Sequence, residues 1–135
     1  MIITIDGVDR TGKNTLHGYL ALLTNHKYVI TDRGILTQIA YNEKFNRGIN
    51  YNINNYRNNI IVYLYAEPED LKIRCKLTNE PPFDIKSDLE LFTRRLEELE
   101  GNGFIVYRYN TSINTPFAIA LDLKEKLEEL EETML

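Results

Sequence analysis

The stretch Ile2–Thr15, IITIDGVDRTGKNT, decides the fold that this sequence predicts. Its first residues, Ile2–Ile5, form a predicted apolar strand, and a helical pattern begins at Asn14. Between strand and helix lies the motif Gly-x4-Gly-Lys, at residues 7–13. Strand, motif and helix together are typical of a phosphate-binding loop, in which glycines let backbone N–H groups turn towards phosphate oxygens. The helix N-terminus and the lysine add positive charge. The sequence therefore predicts binding of a nucleoside triphosphate, against the alternative of an ordinary glycine-containing turn.

One position departs from the usual form of this motif. The residue after the lysine is normally Ser or Thr, whose hydroxyl ligates Mg²⁺, and here it is Asn14. An amide oxygen is also a ligand that hard cations accept. We therefore expect Asn14 to serve as a metal ligand and Thr15 to contact a phosphate.

Composition limits the class of protein. The chain has 135 residues, 43% of them hydrophobic, which predicts one globular domain over residues 1–135. Its net charge of −4 argues against a nucleic-acid polymer as partner. The lone Cys75 favours a reducing cytoplasm, and we expect no membrane span and no signal peptide. Abundant Asn, Ile and Tyr are typical of an AT-rich genome, such as that of a phage or a low-GC bacterium. A homodimer is left open.

Alternating apolar and amphipathic segments predict an α/β fold. The predicted strands are Ile2–Ile5, Lys27–Thr31, Ile60–Tyr65 and Phe104–Tyr109. Their nearly continuous apolar character is typical of parallel strands covered on both faces. The predicted helices are Asn14–Thr24, Leu36–Glu43, Ile53–Asn58, Pro68–Leu77, Ser87–Glu100 and Pro116–Thr133. Ser87 and Glu90 form a predicted capping box, and the polar segment Thr78–Lys86 is a predicted loop.

A second cluster of polar residues follows the strand at Lys27–Thr31. Asp32 and Arg33 come at its carboxyl end, as Asp6 does for the first strand, and ligands of parallel α/β folds bind at such ends. Asp32 is suited to hold Mg²⁺ or to orient an acceptor oxygen, and Arg33 to clamp a second phosphoryl group. The alternative is a capping Asp beside a surface Arg.

Two segments resemble the thymidylate kinases. They are IITIDGVDRTGKNT at 2–15 and DRGILTQIAYN at 32–42, the latter similar to an Asp-Arg…Ser-x-x-Ala-Tyr-Gln segment with Thr37 for the Ser. The segments AEPEDLKIR at 66–74 and FIVYRYNTS at 104–112 resemble P-loop kinases in general. The resemblance implies a three-layer P-loop NTPase fold with a four-stranded parallel sheet. Together with right-handed crossovers, it places the first strand between the second and third, with the fourth outermost.

The resemblance also implies a reaction and residue roles. ATP would be the donor, with Mg²⁺, and a deoxynucleoside monophosphate the acceptor. The implied donor-binding residues are Gly7, Asp9, Thr11, Gly12, Lys13, Asn14, Thr15 and Arg74. Asp9 would approach the acceptor sugar hydroxyl and Tyr41 would press on the sugar. Asp32 would lie beside the metal and Arg33 would grip the acceptor phosphate.

Arg10 resembles the catalytic arginine that some of these kinases carry in the phosphate loop. Phosphoryl transfer needs cations over the developing charge of the γ-phosphoryl group. The predicted loop Thr78–Lys86 offers only Lys86, so Arg10 is the better-placed cation. The implied catalytic residues are Arg10, Lys13, Asp32 and Arg33. His17 and His26 have no evident partner in the sequence, and we assign them no role.

The chain is shorter than a typical thymidylate kinase, mainly before Asp32, where the family builds much of its thymine pocket. Two other functions therefore stay open. One is a kinase for a nucleoside or another small hydroxyl compound. The other is a nucleotide-binding module without turnover, which Asn14 favours. Retention of both Arg10 and Arg33 favours catalysis, because binding alone needs neither.

Overall fold

A four-stranded parallel sheet forms the centre of the computed structural model, which describes residues 1–80 and 83–134. Its strands are β1 (Ile2–Asp6), β2 (Val29–Thr31), β3 (Asn59–Tyr65) and β4 (Ile105–Asn110). They lie in the order β2-β1-β3-β4, and every pairing is parallel. This order confirms the predicted topology, with β1 between β2 and β3.

Helices cover both faces of the sheet, as the three-layer prediction requires. They are α1 (Lys13–Leu23), α2 (Ile35–Lys44), α3 (Pro68–Leu77), α4 (Ile85–Gly101) and α5 (Pro116–Met134). Buried residues of α1 and α5 pack on one face, and those of α2, α3 and α4 on the other. The predicted helix Ile53–Asn58 is a short 3-10 turn, Ile53–Tyr56. Within the described part of the chain, every helix is too short or too polar to span a membrane.

The start of α4 corrects the predicted capping box. The helix begins one residue after Asp84, so Ser87 and Glu90 lie inside it and cap nothing. Ile85 is only 5% exposed and packs into the core, and this burial favours an earlier start than the capping pattern predicts. The predicted loop Thr78–Lys86 is correspondingly shorter, and its two prolines, at 81 and 82, lie outside the described residues.

The two edge strands correct a second prediction. We expected all four strands to be covered on both faces, but Val29 of β2 is 61% exposed and Ile105 of β4 is 39% exposed. In contrast, β1 and β3 are buried almost throughout. β2 and β4 are the edge strands and have a neighbouring strand on one side only, so burial concentrates on the central pair. The carboxyl end of β1, which carries the phosphate loop, therefore rests on the most buried part of the fold.

Candidate active site

The phosphate loop joins β1 to α1 and packs tightly against β3. Gly7 is required here because a Cβ at this position would lie 2.4 Å from the carbonyl oxygen of Leu64. Gly12 ends the loop with φ of 92°, a left-handed conformation that glycine adopts without strain. These two glycines let the chain turn from the sheet into α1, and they place Lys13 in the first turn of the helix.

The Lys13 ammonium lies inside the loop. Its Nζ donates hydrogen bonds to the carbonyl oxygens of Gly7, at 2.8 Å, and Val8, at 2.9 Å. Burial lowers the pKa of Lys13, and the Asp9 carboxylate partly opposes this shift. An ammonium has three donors, so one stays available after these two bonds. The arrangement suits an anion bound in front of the loop, because an anion would stabilise the charged form of Lys13.

Arg10 is held at both ends by groups from the region of α3. Its backbone has a left-handed φ of 69°, and its carbonyl oxygen accepts a hydrogen bond of 2.8 Å from Nη1 of Arg74. Its guanidinium forms an ion pair with Glu80. Its Nε is buried and has no hydrogen-bond partner among residues 1–80 and 83–134. A left-handed arginine is strained, and these contacts keep it in place.

Asp6 connects the phosphate loop to the segment that carries Asp32 and Arg33. Its buried carboxylate accepts hydrogen bonds from the backbone N–H groups of Gly34, at 2.8 Å, and Thr37, at 3.2 Å. The Thr37 hydroxyl donates a third bond, to the same oxygen. Gly34 also packs so closely on β1 that a Cβ would lie 2.5 Å from Cβ of Thr4. The first turn of α2 is thereby fixed beside the end of β1.

His17 contacts Asp32, a pairing that we did not predict. Nδ1 of His17 lies 2.6 Å from Oδ1 of Asp32, and both side chains are partly exposed. The sequence did contain a signal, because His17 follows Lys13 by four residues and so shares its face of α1. The contact leaves Oδ2 of Asp32 available to another ligand.

One cavity of about 570 Å³ gathers most of the predicted site residues. The residues that line it are Asp9, Arg10, Gly12, Lys13, Asn14, Thr15, Asp32, Arg33, Arg74, Thr78 and Glu80. Arginine and lysine side chains outnumber acidic ones in this lining by four to three, so the cavity suits an anionic ligand. Thr78 and Glu80 were not predicted as site residues.

Three predicted site residues do not line this cavity. Gly7 lies behind it, against β3, and Thr11 is buried with its hydroxyl donating to the carbonyl oxygen of Val8 at 2.9 Å. Tyr41 is half-buried and packs edge-on against Phe92, with ring centroids 5.7 Å apart. Burial raises the pKa of Tyr41. The nearby Asp9 carboxylate adds to this rise and the Arg33 guanidinium opposes it. Tyr41 is therefore near the acceptor-side residues without facing the cavity.

Arg74 joins the phosphate loop to the loop after β4. Besides its bond to Arg10, Nη1 donates to Oγ1 of Thr111 at 3.0 Å, and Nη2 donates to the Thr111 carbonyl oxygen at 3.0 Å. Three hydrogen bonds therefore hold the guanidinium at the cavity wall. Its packing on adenine stays a prediction.

Oxygen ligands for Mg²⁺ are available in the cavity but do not form a closed cage. Asn14 and Asp32 both line it. The described residues contain no group of three His, Cys, Asp or Glu side chains able to hold a metal. Mg²⁺ commonly binds through one or two protein ligands, with substrate phosphates and water completing its shell. The side chains present fit that mode of binding.

The fold is similar to several solved structures. The YorR protein of Bacillus subtilis, solved in complex with phosphorylated GDP, aligns with a TM-score of 0.75 at 20% identity, over 98% of each chain. A thymidylate kinase from Candida albicans aligns with a TM-score of 0.56 at 15% identity, over 96% of this chain and 92% of that one. This chain has the P-loop nucleotide-kinase fold. A deoxyadenosine kinase from M. mycoides with bound dCTP also shares this fold, with a TM-score of 0.55 at 17% identity, over 95% of this chain and 100% of that one.

The sequence matches no protein-family model and no curated protein. Within the nucleotide-kinase fold, the alignment with YorR leaves almost no residue of either chain uncovered.

Proposed function

We propose that this protein transfers the γ-phosphoryl group of ATP to a deoxynucleoside monophosphate, with Mg²⁺. The observation that carries the proposal is the single cavity that Lys13 and Arg10 share with Asp32 and Arg33. Phosphoryl transfer depends mainly on positioning the two substrates and on stabilising charge at the transferring group. Two separate pairs of side chains facing one cavity meet both needs.

The donor phosphates would lie along the phosphate loop. The backbone N–H groups of the loop and the remaining donor of Lys13 would bind them, at the N-terminus of α1. Asn14 and Asp32 would hold Mg²⁺, which neutralises charge on the phosphate oxygens. Arg10 would stabilise the charge on the transferring group, since it projects from the loop into the cavity.

The acceptor would bind on the side of Arg33. An arginine can bind a phosphate through two parallel N–H bonds, which fixes its orientation as well as its position. Asp9 lines the same cavity and is suited to accept a hydrogen bond from a sugar hydroxyl. Tyr41 packs against Phe92 outside this lining, so it would contact the sugar only if the acceptor extends beyond the cavity. These roles rest on proximity and on the chemistry of the side chains.

The structurally similar proteins support a nucleotide substrate. YorR was solved with phosphorylated GDP, and the other two are a thymidylate kinase and a deoxyadenosine kinase. The last of these makes a nucleoside the alternative acceptor. We further propose that the protein works in a reducing compartment such as the cytoplasm, where the buried thiol of Cys75 stays reduced.

A screen of nucleoside monophosphates and nucleosides, with the product identified by mass, tests the proposal. Arg10→Ala is expected to lower kcat by about 10²–10³ with little change in ATP affinity. Arg33→Ala is expected chiefly to raise the KM of a monophosphate acceptor. Arg108→Ala is the matched control, because Arg108 pairs with Glu100 and lies outside the cavity.

The same experiment separates the alternatives. With a nucleoside acceptor, Arg33→Ala should leave KM nearly unchanged, because there is no phosphate for Arg33 to bind. A module without turnover would yield no phosphorylated product with any acceptor. Slow ATP hydrolysis that is indifferent to every added nucleotide would contradict the proposed transfer.

A further inference from the structure

The C-terminal cap of α3 places Glu80 in the donor side of the cavity. Asn79 adopts a left-handed φ of 57° and its N–H donates to the carbonyl oxygen of Lys76 at 3.2 Å. The N–H of Glu80 donates to the carbonyl oxygen of Cys75 at 3.1 Å. This pair of bonds is a Schellman motif, which ends a helix in a defined geometry. The backbone of Glu80 is thus held by α3 itself.

The Glu80 carboxylate pairs with Arg10, the side chain that would stabilise charge in the proposed reaction. It pairs with the guanidinium of Arg10, and both residues line the cavity. Arg74, in the last turn of the same helix, binds the carbonyl oxygen of Arg10. The end of α3 therefore holds the backbone and the side chain of Arg10 at once.

The ion pair does not satisfy Arg10 completely. A guanidinium has five N–H donors, and Nε of Arg10 is buried without a partner in the described part of the chain. A carboxylate offers two oxygens, whereas a terminal phosphate offers three and more negative charge. A terminal phosphate is therefore the better partner for this arginine, and it would compete directly with Glu80.

We propose that Glu80 is a specificity-determining residue that competes with the terminal phosphate of the donor for Arg10, so that it lowers the affinity for a triphosphate without changing the affinity for a diphosphate. The inference rests on the proposed function, in which the loop and Lys13 bind the inner phosphates and Arg10 meets the outermost one. A diphosphate does not reach Arg10, so the ion pair with Glu80 persists beside it. Glu80 thereby makes the release of the Arg10 side chain depend on the γ-phosphate.

Calorimetric titration of the β,γ-imido analogue of ATP and of ADP, both with Mg²⁺, tests this proposal on the full chain. Glu80→Gln keeps the size and the cap of the residue but removes its charge. This variant is expected to bind the analogue about two- to fivefold more tightly, the range for a partly exposed ion pair. Its affinity for ADP should be unchanged. Glu69→Gln is the matched control, because Glu69 lies on the same helix, is exposed, and does not line the cavity.

The expected gain should disappear when Glu80→Gln is combined with Arg10→Gln, because the exchange needs both partners. Unchanged or weaker binding of the analogue by Glu80→Gln would overturn the proposal, as would equal changes for the analogue and ADP. A chain that shows the selective gain but transfers no phosphoryl group would retain this inference and contradict the proposed kinase activity. Transfer activity with no selective gain would support the proposed kinase activity and contradict this inference about Glu80.

Discussion

Replacing Asp6 with asparagine is expected to loosen the segment that carries Asp32 and Arg33. Oδ1 of Asp6 accepts hydrogen bonds from Gly34 and from both the backbone and the hydroxyl of Thr37. Asparagine can keep an oxygen in place of Oδ1, so the donors of Gly34 and Thr37 need not lose their acceptor. What it removes is the negative charge that strengthens each bond.

The magnitude follows from these contacts. A hydrogen bond to a charged group contributes about 1.5–3 kcal/mol, and one between neutral groups about 0.5–1.5 kcal/mol. Neutralisation weakens the three bonds to Oδ1 by about 1 kcal/mol each. The hydroxyl of Thr4 donates a fourth bond, at 2.9 Å to Oδ2, and it would have to turn and accept from the amide nitrogen of asparagine. The amide is easier to bury than a carboxylate, and this recovers part of the loss. We expect Asp6→Asn to lower the free energy of unfolding by about 1–3 kcal/mol.

Urea unfolding followed by far-ultraviolet circular dichroism measures this change, and the KM of the acceptor reports the position of Arg33. Thr37→Val serves as the partner variant, because it removes only the hydroxyl donor. The double variant should show a coupling energy of about 1 kcal/mol, since the hydroxyl bond that Thr37→Val removes is one of the two hydrogen bonds between these residues. Equal stability of wild type and Asp6→Asn, within about 0.5 kcal/mol, would refute the reasoning that the charge of Asp6 fixes α2.

Four further outcomes are expected. Lys13→Ala should abolish the rise in melting temperature that millimolar ATP causes, and absence of that rise in the wild type would contradict an ATP site. The affinity for ATP should begin to fall at an alkaline pH below 10.5, the ordinary pKa of lysine, because burial lowers the pKa of Lys13 and its neutral form does not attract phosphate. If the affinity for ATP does not change up to pH 10.5, Lys13 does not titrate in this way. Asn14→Ser should keep or improve Mg²⁺-dependent turnover, and a loss above about tenfold, or 1.4 kcal/mol of barrier, would assign Asn14 another role. His17→Ala should raise the Mg²⁺ concentration needed for half-maximal ATP binding and His17→Asn should restore it, whereas an unchanged requirement would show that His17 does not orient Asp32.

The predicted strands and helices follow from local patterns, and the structure confirms the sheet that they build. Some features can be predicted from sequence because they depend only on residues that are neighbours in the chain. They include the apolar runs of β1 and β3 and the motif from Gly7 to Lys13. The strand order was predictable because the resemblance to P-loop kinases and right-handed crossovers together leave few alternatives. The capping box at Ser87 failed because burial of Ile85 outweighs a local capping preference. The edge strands were predicted as buried because an apolar run does not show its place in the sheet.

By itself the sequence determined the class of fold, the place of the phosphate loop and the candidate residues Arg10, Lys13, Asp32 and Arg33. Lys13, Asp32 and Arg33 follow from short motifs beside predicted strands, whereas Arg10 follows from the resemblance to thymidylate kinases and from its charge. Only the tertiary structure decided which side chains contact these candidate residues. Glu80 reaches Arg10 because α3 ends beside the phosphate loop, and His17 reaches Asp32 because α1 passes the end of β2. Such pairings depend on how crossovers and packed helices bring distant segments together; a local pattern shows at most that His17 shares a helix face with Lys13, not that it meets Asp32.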